Sequence, residues 1–173
     1  VNYTFPPRPK LQGEPRALFV ALQQAQQGRH AAFLTTGTHT ICGAPPELFF
    51  AREGDRVSAR PMKGTLPRGL TADEDLGQRA ALVASPKQRA ENVMIVDMVR
   101  NDLGRIAEVG SVAVPELFTP EKYPTLWQMT SLVTGRSLAS LEDMFAAMHP
   151  SAWVTGAPKV RTMGLLTEIE TET

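Results

Sequence analysis

The sequence has a single cysteine, Cys42. One thiol excludes an intrachain disulfide and a multi-cysteine metal site, fits a reducing cytosol, and leaves Cys42 as a small hydrophobe in a strand. Charge of one sign is also missing. Eighteen Lys and Arg balance eighteen Asp and Glu, and no basic run creates a local field, which counts against nucleic acid or an anionic membrane as a partner. No apolar run reaches the length of a membrane span, and the opening Val1-Asn2-Tyr3-Thr4 lacks the basic and apolar parts of a leader. These absences predict a soluble, cytoplasmic protein. The 173 residues are 42% hydrophobic, which argues against disorder and suffices for one sizeable core. The chain opens on Val1 and stops at Glu170-Thr171-Glu172-Thr173 as a helix is finishing, so it reads as an internal piece of a longer protein.

After the proline-rich Pro6-Pro7-Arg8-Pro9, residues 15 to 27 place Leu18, Phe19 and Leu22 at helical spacing and end before Gly28. Short β-prone runs follow at 30–35, 38–42, 48–52 and 57–60, punctuated by Gly37, Gly43 and the turn Glu53-Gly54-Asp55. Residues 72–83 predict a helix, and Pro86 followed by 87–103 predicts a longer one that ends at Gly104. Strands return at 111–114 and 126–133, and Ser140 with Asp143 resembles a capping box that opens a short helix through Met148. A last helix starts at Pro158. Without regular βα alternation, this order predicts an α+β domain with antiparallel sheets, and there is no internal repeat or long linker.

Three segments carry candidate chemistry. In Arg60-Pro61-Met62-Lys63-Gly64-Thr65 a rigid Pro and a flexible Gly flank a lysine, which suggests an amine presented at a fixed spot on a loop. Such an amine can be a nucleophile, a base or a point charge, although an ordinary solvated lysine fits the same residues. In the long helix Glu91, Ile95, Met98 and Asp102 fall at i, i+4, i+7 and i+11, so two carboxylates bracket one apolar face. On spacing alone an ordinary core helix with Asp102 at a frayed end is the favoured reading. Thr155-Gly156-Ala157-Pro158-Lys159 brings a hydroxyl and an ammonium to the start of the last helix, where free N–H groups would meet a carboxylate or phosphate. A plain N-cap by Thr155 is the alternative.

Taken in order with Asn2-Tyr3-Thr4, Pro46-Glu47-Leu48-Phe49, residues 90–105 and Tyr123-Pro124-Thr125-Leu126-Trp127-Gln128-Met129, these segments resemble the chorismate-utilising enzymes, and among them the aminodeoxychorismate synthase branch. The resemblance covers nearly the whole chain and the first two-thirds or so of the family's catalytic domain. It implies two antiparallel sheets packed face to face with helices outside, and a cleft that holds chorismate and Mg²⁺. Anthranilate synthases are similar but usually carry alanine where this chain has Lys63, so the resemblance implies amination at C4 of the ring rather than C2. It gives Lys63 the role of nucleophile at C2 and Glu47 that of general acid for the departing C4 hydroxyl. Glu91 becomes a Mg²⁺ ligand, with the family's second metal glutamate beyond Thr173. Arg100 and Arg105 match the family's arginines, which support the carboxylates or tune the lysine, with helix-end salt bridging as the alternative. Gly64, Thr65, Thr155, Gly156, Ala157 and Lys159 become contacts to substrate. Ammonia would come from a separate glutamine amidotransferase subunit.

The sequence departs from the family's pattern at Pro45 and Trp153, where serine is usual, at Gly164, where glutamate is frequent, and at Gln128, where related enzymes place histidine. An indole at Trp153 near the anion pocket could obstruct substrate. Two rivals therefore stand beside C4 amination: an anthranilate synthase component, and a degenerate, non-catalytic segment of the same fold.

Overall fold

The computed structural model describes residues 10–27, 30–156 and 158–169, with Ala152 and Trp153 described by backbone alone. The described residues form two compact units, one ending at Leu48 and one beginning at Phe49. In the smaller unit helix α1 (Pro15–Gln26) has its proline in the first turn and closes on Gln27, whose left-handed backbone lets its N–H reach the Gln23 carbonyl. Strands β1 (Ala32–Thr35) and β2 (Thr40–Gly43) form an antiparallel hairpin. The Phe19 and Phe33 rings lie 5.5 Å apart between helix and hairpin. Cys42 is half-buried on β2, with its sulfur 3.5 Å from the Pro15 carbonyl, in keeping with a small packing residue.

The larger unit is organised around one strand. β3 (Leu48–Glu53) and β4 (Arg56–Arg60) form a hairpin, β5 (Met62–Pro67) follows directly, and β6 (Ala113–Lys122) leads into β7 (Leu126–Arg136). β4 pairs antiparallel with the second half of β7, from Arg56 opposite Arg136 to Ala59 opposite Val133. β5 pairs with the first half, from Met62 opposite Thr130 to Pro67 opposite Leu126. The two strands thus run in line along one edge of β7, interrupted only by the buried Pro61, which has no N–H to give to the ladder but accepts one from Ser131 at 3.2 Å. β6 occupies the other edge.

The lysine motif therefore lies in a strand, where the sequence suggested a loop. Pro61 and Gly64 disturb the ladder without ending it. β6 is also longer than the expected strand at 111–114, because Pro115 and Pro120 sit in a strand that pairs with β7 alone among the described residues, where proline is tolerated.

Helix α2 (Ala72–Ala84) opens with a complete capping box: Thr71 accepts from the Glu74 N–H, and the Glu74 carboxylate accepts from the Thr71 N–H. Ser85 ends α2 and caps α3 (Pro86–Gly104), with Pro86 in the first turn. Ser140 caps α4 (Leu141–Met148) by accepting from the Asp143 N–H. The Asp143 carboxylate takes the Ser140 hydroxyl at 2.7 Å instead of a backbone donor, so the expected box is half formed. Short α5 (Ala152–Thr155) and α6 (Lys159–Ile169) complete the unit.

The main core lies between α3, the sheet and α4, with Val57, Ala59 and Val133 from strands, Ile95, Val96, Val99 and Leu103 from α3, and Met144 and Met148 from α4. A second cluster joins Leu82 of α2 to Trp127 and Met129 of β7. The buried face of α3 runs through Asn92, Ile95, Val96, Val99, Asp102 and Leu103. Glu91 lies at its margin and is half exposed. Asp102 is only 3% exposed within a helix that continues to Gly104, so its end is not frayed.

Candidate active site

The first two turns of α3 press against β5 at the lysine motif. Met62 faces Thr130 and Thr65 faces Gln128, so Lys63 and Gly64 together stand opposite Met129 in a one-residue bulge. Gly64 carries a positive φ of 102°, and a Cβ there would meet Met129 Cβ at 3.1 Å and Gln88 Cβ at 3.3 Å. Glycine is thus required by both conformation and space. Lys63 is half-buried in this bulge. Its carbonyl accepts a hydrogen bond from the Asn92 carboxamide at 3.1 Å. Thr65 donates its hydroxyl to Gln128 Oε1 at 2.8 Å, so the residue that replaces the related enzymes' histidine is tied to a proposed substrate contact. Glu91, next to Asn92 on α3, lies 4.0 Å from the Lys87 ammonium one turn earlier. Lys63, Gly64, Thr65, Gln128 and the Glu91 turn of α3 are therefore brought into one neighbourhood.

Asp102, Arg105 and Lys159 gather at the opposite end of α3. Eleven residues of helix separate Glu91 from Asp102, a rise of about 16 Å. There Asp102 faces the Lys159 ammonium at 3.5 Å, and Lys159 also donates to the Ala147 carbonyl at 3.2 Å. Arg105 donates to the same carbonyl at 3.2 Å. Asp102, Arg105, Pro158 and Lys159 line a cavity of about 580 Å³ with Met98 and Asn101. The two carboxylates read as bracketing one face thus serve separate places.

Thr155 does not cap the last helix. It ends α5, is buried, and donates its hydroxyl back to the Ser151 carbonyl at 3.2 Å; Gly156 (φ 119°) follows it, and α6 begins only at Lys159. Ala157 and the Trp153 side chain lie outside the described residues. Arg100 is exposed and pairs with Asp97 at 2.8 Å on its own helix. Glu47 belongs to the smaller unit and is half-buried. Among the described residues no group of three His, Cys, Asp or Glu could hold a metal. No helix among them is long and apolar enough to cross a membrane.

Two features escaped sequence reasoning. Asp75 is buried and accepts from both Arg68 nitrogens that face it, from the Trp127 indole at 2.8 Å and from the Gly69 N–H at 3.2 Å. The Arg68 hydrogen bonds, more than any other contact, hold its carboxyl well below the usual carboxylate range. This cluster fastens the end of β5 to α2 and β7. The other is Asn92, a polar residue on the buried face of α3. Its only signal in the sequence is an amide placed three residues before Ile95, within the helical apolar stripe.

Comparison with known proteins matches residues 1–173 to the family described as chorismate binding enzyme. Aminodeoxychorismate synthase component 1 of Klebsiella aerogenes is 44% identical over 161 residues, covering 91% of this chain and 36% of that protein. Anthranilate synthase component 1 1 of Haloarcula marismortui is 39% identical over 158 residues, covering 90% of this chain and 32% of the relative. The crystal structure of anthranilate synthase component I from Streptococcus pneumoniae TIGR4 superposes with a TM-score of 0.79 at 33% identity, covering 94% of this chain and 36% of that one. The chain spans about a third of the length of these relatives. On the family match, the α+β architecture and the motif order together, this chain belongs to the chorismate binding enzymes.

Proposed function

We propose that the protein aminates chorismate at C4 to give 4-amino-4-deoxychorismate, the precursor of para-aminobenzoate and folate. The observation that carries this reading is Lys63, an amine on a bulged strand whose backbone is tied to α3. Relatives named aminodeoxychorismate synthase support it. The Lys63 amine, in its uncharged form, bonds to C2 while both ring double bonds shift and the C4–O bond breaks, the hydroxyl departing as water with a proton from a general acid, the role that the family resemblance gives Glu47. Ammonia then bonds to C4, both double bonds return to their original places, and the C2–N bond to Lys63 breaks; the ammonia nitrogen gives a proton back to the general acid and the lysine is regenerated. Ammonia would be delivered by a glutamine amidotransferase subunit.

Glu91 supplies a hard oxygen donor of the kind Mg²⁺ takes, and that ion commonly completes its shell with water and substrate oxygens. When bound, it would neutralise substrate carboxylate charge. Thr65 presents a hydroxyl beside Lys63 and is a candidate to receive a substrate oxygen, while Lys159 and Arg105 share the cavity at the far end of α3 with the carboxylates of Asp97 and Asp102.

The test is full-length protein incubated with chorismate, Mg²⁺ and no ammonia, analysed by intact-mass spectrometry. The unsubstituted protein should form an adduct that Lys63→Ala abolishes, and an adduct that survives the substitution removes Lys63 from the nucleophilic role. The anthranilate synthase relatives motivate a second reading, amination at C2. Adding ammonium and identifying the product as anthranilate would establish it in place of the first. Failure to bind chorismate at all would identify a degenerate member of the family.

A further inference from the structure

We propose that Asn92 is a positioning residue for this reaction, whose carboxamide fixes the stretch of backbone from which the Lys63 amine is delivered; the proposal rests on the reading of Lys63 given above. A bulge withdraws backbone groups from the regular ladder, and a withdrawn carbonyl needs another donor or it allows the strand to slip. Asn92 provides that donor on both sides of the irregularity. Its Nδ2 donates to the Lys63 carbonyl at 3.1 Å and to the Met129 carbonyl directly across the bulge at 3.3 Å, which uses both amide hydrogens.

The orientation of the amide is itself held. Ser131 donates its hydroxyl to Asn92 Oδ1 at 2.6 Å and accepts the Phe118 N–H at 3.1 Å. Phe118 has a positive φ of 59° and lies where β6 shifts register against β7. A directional chain of hydrogen bonds thus runs from the irregularity in β6 through Ser131 and Asn92 to the irregularity in β5. Asn92 is 1% exposed and Ser131 is fully buried, so water does not substitute for either. An apolar residue would fill this place on the core face of α3 if packing were the whole requirement. Because Glu91 adjoins Asn92, the same clamp also sets the register of the Glu91 turn relative to Lys63.

The closing experiment uses the full-length protein and reads two quantities. One is turnover of chorismate. The other is the rate at which trace acetic anhydride labels Lys63, measured by peptide mass spectrometry against Lys87 and Lys122. Asn92→Ala is expected to lower kcat about tenfold to a hundredfold with little change in KM, as misplacement of a reacting group does. Lys63 labelling should rise severalfold as the amine is released, and Ser131→Ala should give a weaker form of both effects. Met144→Ala, a core truncation in α4, should lower the melting temperature without altering Lys63 labelling.

Unchanged labelling and kcat in Asn92→Ala would overturn the proposal, as would equal changes in Met144→Ala. Where Asn92→Ala does not fold, Ser131→Ala decides alone, and normal labelling and kcat in that variant overturn the proposal. The two readings fail separately: full activity in Lys63→Ala would refute the nucleophilic role, while labelling in the Asn92 and Ser131 variants still reports on the clamp.

Discussion

Gly64→Ala tests the bulge where backbone geometry and the proposed nucleophile meet. Its cost has two parts. The backbone at φ 102° lies in a region that side chains strain, at about 1–3 kcal/mol. The new Cβ would also sit 3.1 Å from Met129 Cβ and 3.2 and 3.3 Å from Gln88 Oε1 and Cβ. The Gln88 carboxamide can swing aside, but the two Cβ atoms are fixed to β7 and α3 and yield only if those backbones move, an overpacking cost of about 1–3 kcal/mol. Together these give about 2–6 kcal/mol, or a fall of about 5–20 °C in melting temperature for a domain of this size. Thermal unfolding of full-length protein by tryptophan fluorescence measures it. Gly77→Ala in α2, where a Cβ meets nothing within 4 Å, is the control and should raise stability by up to about 1 kcal/mol. A Gly64→Ala melting temperature within about 2 °C of the unsubstituted protein would refute the geometry.

Two further outcomes concern the supports on either side. Asp75 titrates below its unfolded value of about 3.9, so the stability it contributes is fully present above that pH and is lost as pH falls through its lower folded value. Melting temperatures recorded from neutral to acid pH should therefore converge for the unsubstituted protein and Asp75→Asn at the acid end and differ by a constant amount near neutrality; parallel curves throughout would contradict the account. Lys159→Met removes one partner of the buried Asp102, and should cost about 1–3 kcal/mol in denaturant unfolding. An unchanged midpoint would show that the pair holds nothing together.

The regular elements were largely legible because their signals are local. Pro15, Pro86 and Ser140 mark helix starts, and Glu53-Gly54-Asp55 marks the β3–β4 turn. β5 and most of β6 were not, since Pro61, Pro67, Pro115 and Pro120 read as breakers while the long partner strand β7 supplies hydrogen bonds that override them. The same holds for the site. The lysine motif and Glu91 are contiguous patterns, whereas the Asn92 clamp and the Asp75 cluster join residues far apart in sequence and exist only after folding. The N-cap alternative for Thr155 fails because a four-residue helix has too little periodicity to show itself, and the hydroxyl that resembles a cap finishes α5.

That β4 and β5 share one edge of β7 has a cost during synthesis. Arg56 must find Arg136, and Met62 must find Thr130, so the hairpin and the lysine strand emerge from the ribosome well before their template. At ordinary translation speeds that interval is on the order of 5–10 s, during which an unpaired, partly apolar strand edge is open to other nascent chains. Pairings of such long range also close slowly. Expression yield of this fold should thus depend on how well chaperones shelter residues 56–67 until β7 arrives.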